Sequence, residues 1–147
     1  MNYLEILTPE QRIRTIEYSS YSVFALPLAA ALGASPTFTV GDADFVITDL
    51  TGAAWDPANP TVLFQTPAIT VQLHDDGSGR DLFNRPQHWA GRIGNARDPY
   101  VLPMPFLIKQ TSVVTIPLAS LALAGGQAYN VGVFVGGFKI FPTARGG

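Results

Sequence analysis

The chain has no cysteine. Disulfides, zinc-finger sites and thiol nucleophiles are therefore excluded. Charge is scarce too. Asp, Glu, Lys and Arg make up 14% of the 147 residues, against roughly 25% in an average domain. The only lysines are Lys109 and Lys139, and no run of Lys or Arg occurs. Nucleic acid and anionic membranes are held by basic patches, so neither is an expected partner. Glutamate does not occur after Glu17. The longest apolar stretch, VFALPLAAALGA at residues 23–34, is too short to span a bilayer and is interrupted by Pro27. The segment before it sets Glu5, Glu10 and Glu17 against Arg12 and Arg14, unlike the positive n-region of a cleaved signal. No G-x-G-x-x-G, phosphate loop or G-x-S-x-G elbow is present.

Apolar residues, by contrast, make up 47% of the chain, and twelve prolines and fourteen glycines are spread along it. That distribution fits many short elements joined by turns, and the length fits one domain. From Tyr18 onward the sequence reads as strands. In DFVITDL (44–50), Phe45 and Ile47 share one face, and Val46 and Thr48 the other. In AITVQLH (68–74), Ile69, Val71 and Leu73 alternate with Thr70, Gln72 and His74. SVVTIPL (112–118) aligns Val114, Ile116 and Leu118, and YNVGVFVGGFKIF (129–141) aligns Val131, Val133 and Val135. Between the runs lie DPANP, DDGSG and AGGQ, which carry turn chemistry. The fold expected is all-β: an antiparallel β-sandwich over residues 18–147. Residues 1–17 precede it as an arm or a short helix, because Thr8-Pro9-Glu10-Gln11 is a helix-start signature.

The polar residues concentrate in HDDGSGRDLFNRPQH, residues 74–88, which holds both histidines, His74 and His88. Three kinds of chemistry need weighing there. A calcium loop requires alternating acids closed by a bidentate one. Adjacent Asp75 and Asp76, followed by Asp81, do not supply that pattern. A Ser–His–Asp set can be assembled on paper from Ser78, His74 or His88, and Asp75 or Asp81, but GSG lacks the strand-to-helix context of a nucleophile elbow. Paired carboxylates for glycoside hydrolysis usually need one buried acid, and no acid is expected inside an apolar run. No catalytic residue, metal site or cofactor is therefore expected. The low charge has two explanations, chance composition or a surface covered by partners, since interface cores are depleted in charge. Trp55, Trp89 and Tyr100 lie in loop-like sequence. They suit either packing and interface anchoring or, in a carbohydrate-binding sandwich, stacking on sugar rings.

The order of features, from YSVFAL through DADFVITDL, ITVQLHDDGSGRDLFNRP and GNARDPYVLPMPFLIKQTSVVTIPL to YNVGVFVGGFKIF, resembles the small jelly-roll cement or decoration proteins of tailed bacteriophages. The likeness covers residues 18–141. It rests on a strand ending in D-x-x-SGR-x-L-x-N-x-P, a following LP-x-P segment and a closing V-x-G-x-K strand. The TPEQRIR segment has no counterpart in that pattern. The resemblance implies a non-enzymatic virion protein, made in the host cytoplasm and placed on the outer capsid surface. Its implied partners are the major capsid protein and further copies of itself on the shell. Contacts are expected from Trp55, Arg80, Arg85, Trp89 and Tyr100. Another virion β-module, from a tail, neck or fibre, is the nearest alternative.

Overall fold

A computed structural model describes residues 16–95 and 97–141. Of the arm or helix expected at residues 1–17, residues 1–15 lie outside the described residues, and the first strand already includes Ile16 and Glu17. The strands in chain order are β1 (Ile16–Leu28), β2 (Gly33–Ala34), β3 (Thr37–Thr39), β4 (Asp44–Asp56), β5 (Asn59–Phe64), β6 (Ile69–Val71) and β7 (His74–Asp75). They continue as β8 (Arg80–Asp81), β9 (Gln87–His88), β10 (Tyr100–Ile108), β11 (Val113–Thr115), β12 (Leu118–Ser120) and β13 (Tyr129–Ile140). A single helical turn, α1 (Trp89–Arg92), follows β9. The molecule is an antiparallel all-β sandwich.

One layer is built from long strands in the order β1-β13-β4-β10, with β5 added beside β4. β13 runs between β1 and β4 and is paired along almost its whole length on both sides. The other layer is made from broken strands, as two short four-stranded sheets ordered β3-β11-β7-β8 and β2-β12-β6-β9. The two sheets lie end to end in shared register. Thr115 faces Thr37 across one and Leu118 faces Ala34 across the other, so Pro36 and Pro117 interrupt the ladder without shifting it. Proline lacks a donor but keeps its acceptor. Accordingly the Ile116 N–H donates to the Pro36 carbonyl at 2.9 Å, and the Gln72 N–H to the Pro117 carbonyl at 3.1 Å.

The core lies between the layers. Val23, Ala25, Phe45, Ile47, Leu50, Val131, Val133 and Val135 enter it from the long-stranded layer. Ile69, Val71, Leu73, Val114, Ile116 and Leu118 meet them from the broken one. The period-two alternation predicts these faces except at Leu50, which reaches the core because β4 shifts register against β13 between Ile47 and Asp49. A smaller cluster of Ile16, Val46, Leu107 and Ile140 sits apart from that core.

Gln72 breaks the polar-outward rule, because it is buried at the gap between β6 and β7. Its side-chain oxygen accepts from the Leu73 and Phe83 N–H groups, each at 3.0 Å, and its amide donates to the Phe83 carbonyl at 2.7 Å. The side chain thus satisfies backbone groups that the interrupted ladder leaves over.

Candidate functional site

Segment 74–88 forms the outer margin of the broken layer. β7 ends at Asp75, the chain turns through 76–79, and β8 returns with His74 opposite Asp81. Asp75 organises the turn from a buried position. Its carboxylate accepts from the Gly77 N–H at 3.0 Å and from the Ser78 hydroxyl at 2.6 Å, and its carbonyl accepts from the Gly79 N–H at 2.8 Å. Gly79 has φ +71°, a left-handed conformation that a side chain would resist. Asp76 points outward, so the two adjacent acids diverge as expected along an extended chain.

The Ser–His–Asp combination is only partly assembled. His74 Nδ1 lies 2.8 Å from Asp81 and Nε2 lies 3.5 Å from Asp76, with the three side chains 37–51% exposed. Ser78, however, is engaged by Asp75 and by the Arg80 guanidinium, whose Nε donates to it at 3.1 Å. The nucleophile candidate and the His–Asp pair therefore serve different bonds. His88 lies at the far end, where its Nδ1 accepts from the Ala90 N–H at 3.1 Å and caps α1. Among the described residues, no group of three His, Asp or Glu side chains is placed to hold a metal ion.

The five residues expected to meet partners are placed differently from one another. Arg80 is exposed, yet it reaches across to β10, donating to the Leu107 carbonyl at 3.0 Å with its guanidinium over the Phe106 ring at 4.7 Å. Arg85 is exposed on the loop. Trp55 is half-buried in β4. Tyr100 is half-buried and carries the Arg92 guanidinium 5.7 Å from its ring centre. Trp89 is 3% exposed. Its ring packs on Gly52, where an added Cβ would fall 2.6 Å from the indole. The loop-like sequence around Trp89 thus hides a core residue. Trp89 also lines an open cleft together with Gly52, Ile93 and Phe134.

Sequence reasoning also missed Asp49. It sits in the apolar run DFVITDL, against the expectation that no acid would. Burial raises its carboxyl above the ordinary Asp range, and a hydrogen bond from the Gly136 backbone partly opposes that rise. The signal was available in the sequence, since an Asp among β-branched and aliphatic residues in a central strand has at most one open side.

The open surfaces lie elsewhere. On β1, Tyr18, Phe24 and Leu26 are 63%, 48% and 61% exposed, on the side opposite core-facing Val23 and Ala25. Phe24 meets Phe134 edge to face at 6.0 Å, and Tyr18 meets Phe138 likewise at 5.9 Å. The outer side of the long-stranded layer is therefore aromatic. The cleft that Trp89 and Phe134 line, of about 410 Å³, also includes Ala53, Leu63, Phe64, Gln65 and Asn95. Among the described residues, no helix is long and apolar enough to cross a membrane. Comparison with family models, curated proteins and solved structures finds no match to this chain.

Proposed function

We propose that the sandwich is a jelly roll and that the chain is a capsid cement protein, bound to the outer surface of a bacteriophage shell and stabilising it. The observation that carries this is the apolar, largely aromatic outer side of the long-stranded layer, where Tyr18, Phe24 and Leu26 are exposed and Phe134 is half-buried against Phe24. Aromatic side chains are enriched, and charged ones depleted, where proteins meet proteins. The strand order supports the jelly-roll assignment. Segments 16–28, 44–56, 100–108 and 129–140 share one layer, and 33–39, 69–75, 80–88 and 113–120 share the other. These eight segments in two layers match that architecture, with β5 (59–64) as an addition beside β4.

A cement protein gains avidity by engaging several weak contacts over a repeating surface. The major capsid protein is the proposed partner, and residues 1–15 are a proposed second point of attachment. Purified protein added to particles that lack it is expected to co-sediment with them and to raise their disruption temperature. Removing residues 1–15, which leaves β1 whole, is expected to weaken that attachment. Failure of the intact chain to bind any particle form would overturn the proposal. A tail, neck or fibre role would show itself as attachment at one vertex or along the tail.

A further inference from the structure

A sheet edge presents unpaired backbone donors and acceptors, and proteins guard such edges with proline, charge, short strands or bulges. Three of the four margins of this sandwich are guarded. β10 carries Pro103 and Pro105 and loses register between Val101 and Phe106, while β5, which pairs with the other end of β4, carries Pro60. The β2/β3 margin is short and broken at Pro36. The β8/β9 margin consists of two-residue strands bearing Arg80 and Asp81, with Arg85 and Pro86 between them. β1 differs. It holds unbroken register with β13 from Ile16 to Ala25, it has no lysine or arginine, and its first proline is Pro27. Among the described residues, no strand pairs with its other side.

We infer that this margin pairs with β1 of a second copy, antiparallel about a two-fold axis through Tyr21, joining the two long-stranded layers into one continuous sheet. The register follows from the sequence IEYSSYSVFALPL. Centring on Tyr21 pairs Ile16 with Leu26 of the partner subunit and stops the ladder just before Pro27, which cannot donate to it. On the outer face, Tyr18 lies opposite the partner's Phe24, and Ser20 opposite the partner's Ser22. Each combination occurs twice, as a two-fold interface requires. Cross-strand aromatic pairs are stabilising and like charges directly opposite are not. Here Glu17 falls opposite Ala25 of the partner subunit, so no like charges oppose. The shared seam is roughly 36 Å long at a rise of about 3.3 Å per residue. The inference goes beyond the capsid proposal and stands apart from it. It concerns the purified chain, so absence from particles leaves it intact, and a monomer in solution leaves particle binding intact.

The test uses the full chain. Sedimentation velocity at micromolar concentration is expected to show a dimer. Ser20→Cys/Ser22→Cys, made in a chain that has no cysteine of its own, is expected on mild oxidation to give a covalent dimer. Peptide mapping should then join position 20 to position 22 of the partner. Directly opposed residues in an antiparallel pair lie within disulfide reach. Ser20→Lys/Ser22→Lys is expected to weaken dimerisation roughly tenfold or more, by opposing like charges across the axis. Ser20 and Ser22 are both exposed, so at concentrations low enough for the parent also to be a monomer the two thermal melts should match, which separates lost pairing from lost folding. A monomeric full chain overturns the inference, as does a dimer indifferent to the lysines or cross-linked in another register. A chain that dimerises only when residues 1–15 are removed overturns it as well, because the leading segment then covers the margin.

Discussion

Segment 74–88 and strand β1 are opposites. The first gathers histidines, acids and arginines, and most of them serve internal bonds. Asp75 holds its own turn, Ser78 is shared between Asp75 and Arg80, Arg80 clasps β10, and His88 caps α1. The second contains almost nothing chemical, yet it keeps Tyr18, Phe24 and Leu26 in the open beside a margin with which no other described strand pairs. Polar density in a sequence marks places where backbone needs satisfying as readily as places where chemistry occurs. An unremarkable strand becomes informative once its neighbours are known.

The largest effect expected to sharpen this contrast is at the end of the polar segment. Trp89→Ala removes a buried ring and should cost about 3–5 kcal/mol in urea unfolding. A cost below about 1 kcal/mol would mean that Trp89 is a surface residue after all. Asp75→Ala comes next. It leaves the Gly77 N–H and the Ser78 hydroxyl without their acceptor, and the expected loss is about 1–3 kcal/mol, read from the same unfolding curves. His74→Ala removes only a half-exposed pair with Asp81, so a change of about 1 kcal/mol or less is expected. If His74→Ala proved more damaging than Asp75→Ala, the segment would depend on the pair and not on the turn.

The smallest effect concerns Asp49, on the long-stranded layer. Its carboxyl is raised in the folded protein, chiefly by burial. The native state therefore holds the proton more tightly than the unfolded chain does. Stability from this group is greatest below the ordinary Asp range and falls as pH rises through the raised value. Asp49→Asn should flatten that decline and raise stability at neutral pH, as measured by thermal melts across an acid-to-neutral series. A steeper decline in the variant would contradict the assignment.

Much of the fold was legible because alternation is a local property. Ile69-Val71-Leu73, Val114-Ile116-Leu118 and Val131-Val133-Val135 all face the core as their spacing demands. The breaks in the second layer were half legible. Pro117 announced one, but the gap after Val71 carries no proline and is revealed only by Gln72, whose amide bridges to Phe83 across the chain. Trp89 was misplaced for a related reason. Histidine, glycine and arginine around it look like a surface loop, and only the partner Gly52, far away in sequence, makes room for the ring. The open margin of β1 was not legible at all, because strand order is set by long-range pairing that no local pattern encodes. The same holds for the His74–Asp81 contact, which depends on the register of β8 against β7.

The central proposal is that this chain covers a capsid shell. Quantitative mass spectrometry of purified particles from a phage encoding it tests that claim most directly. The account predicts many copies per particle, in fixed proportion to the major capsid protein. Intact, infectious particles without the chain would contradict it.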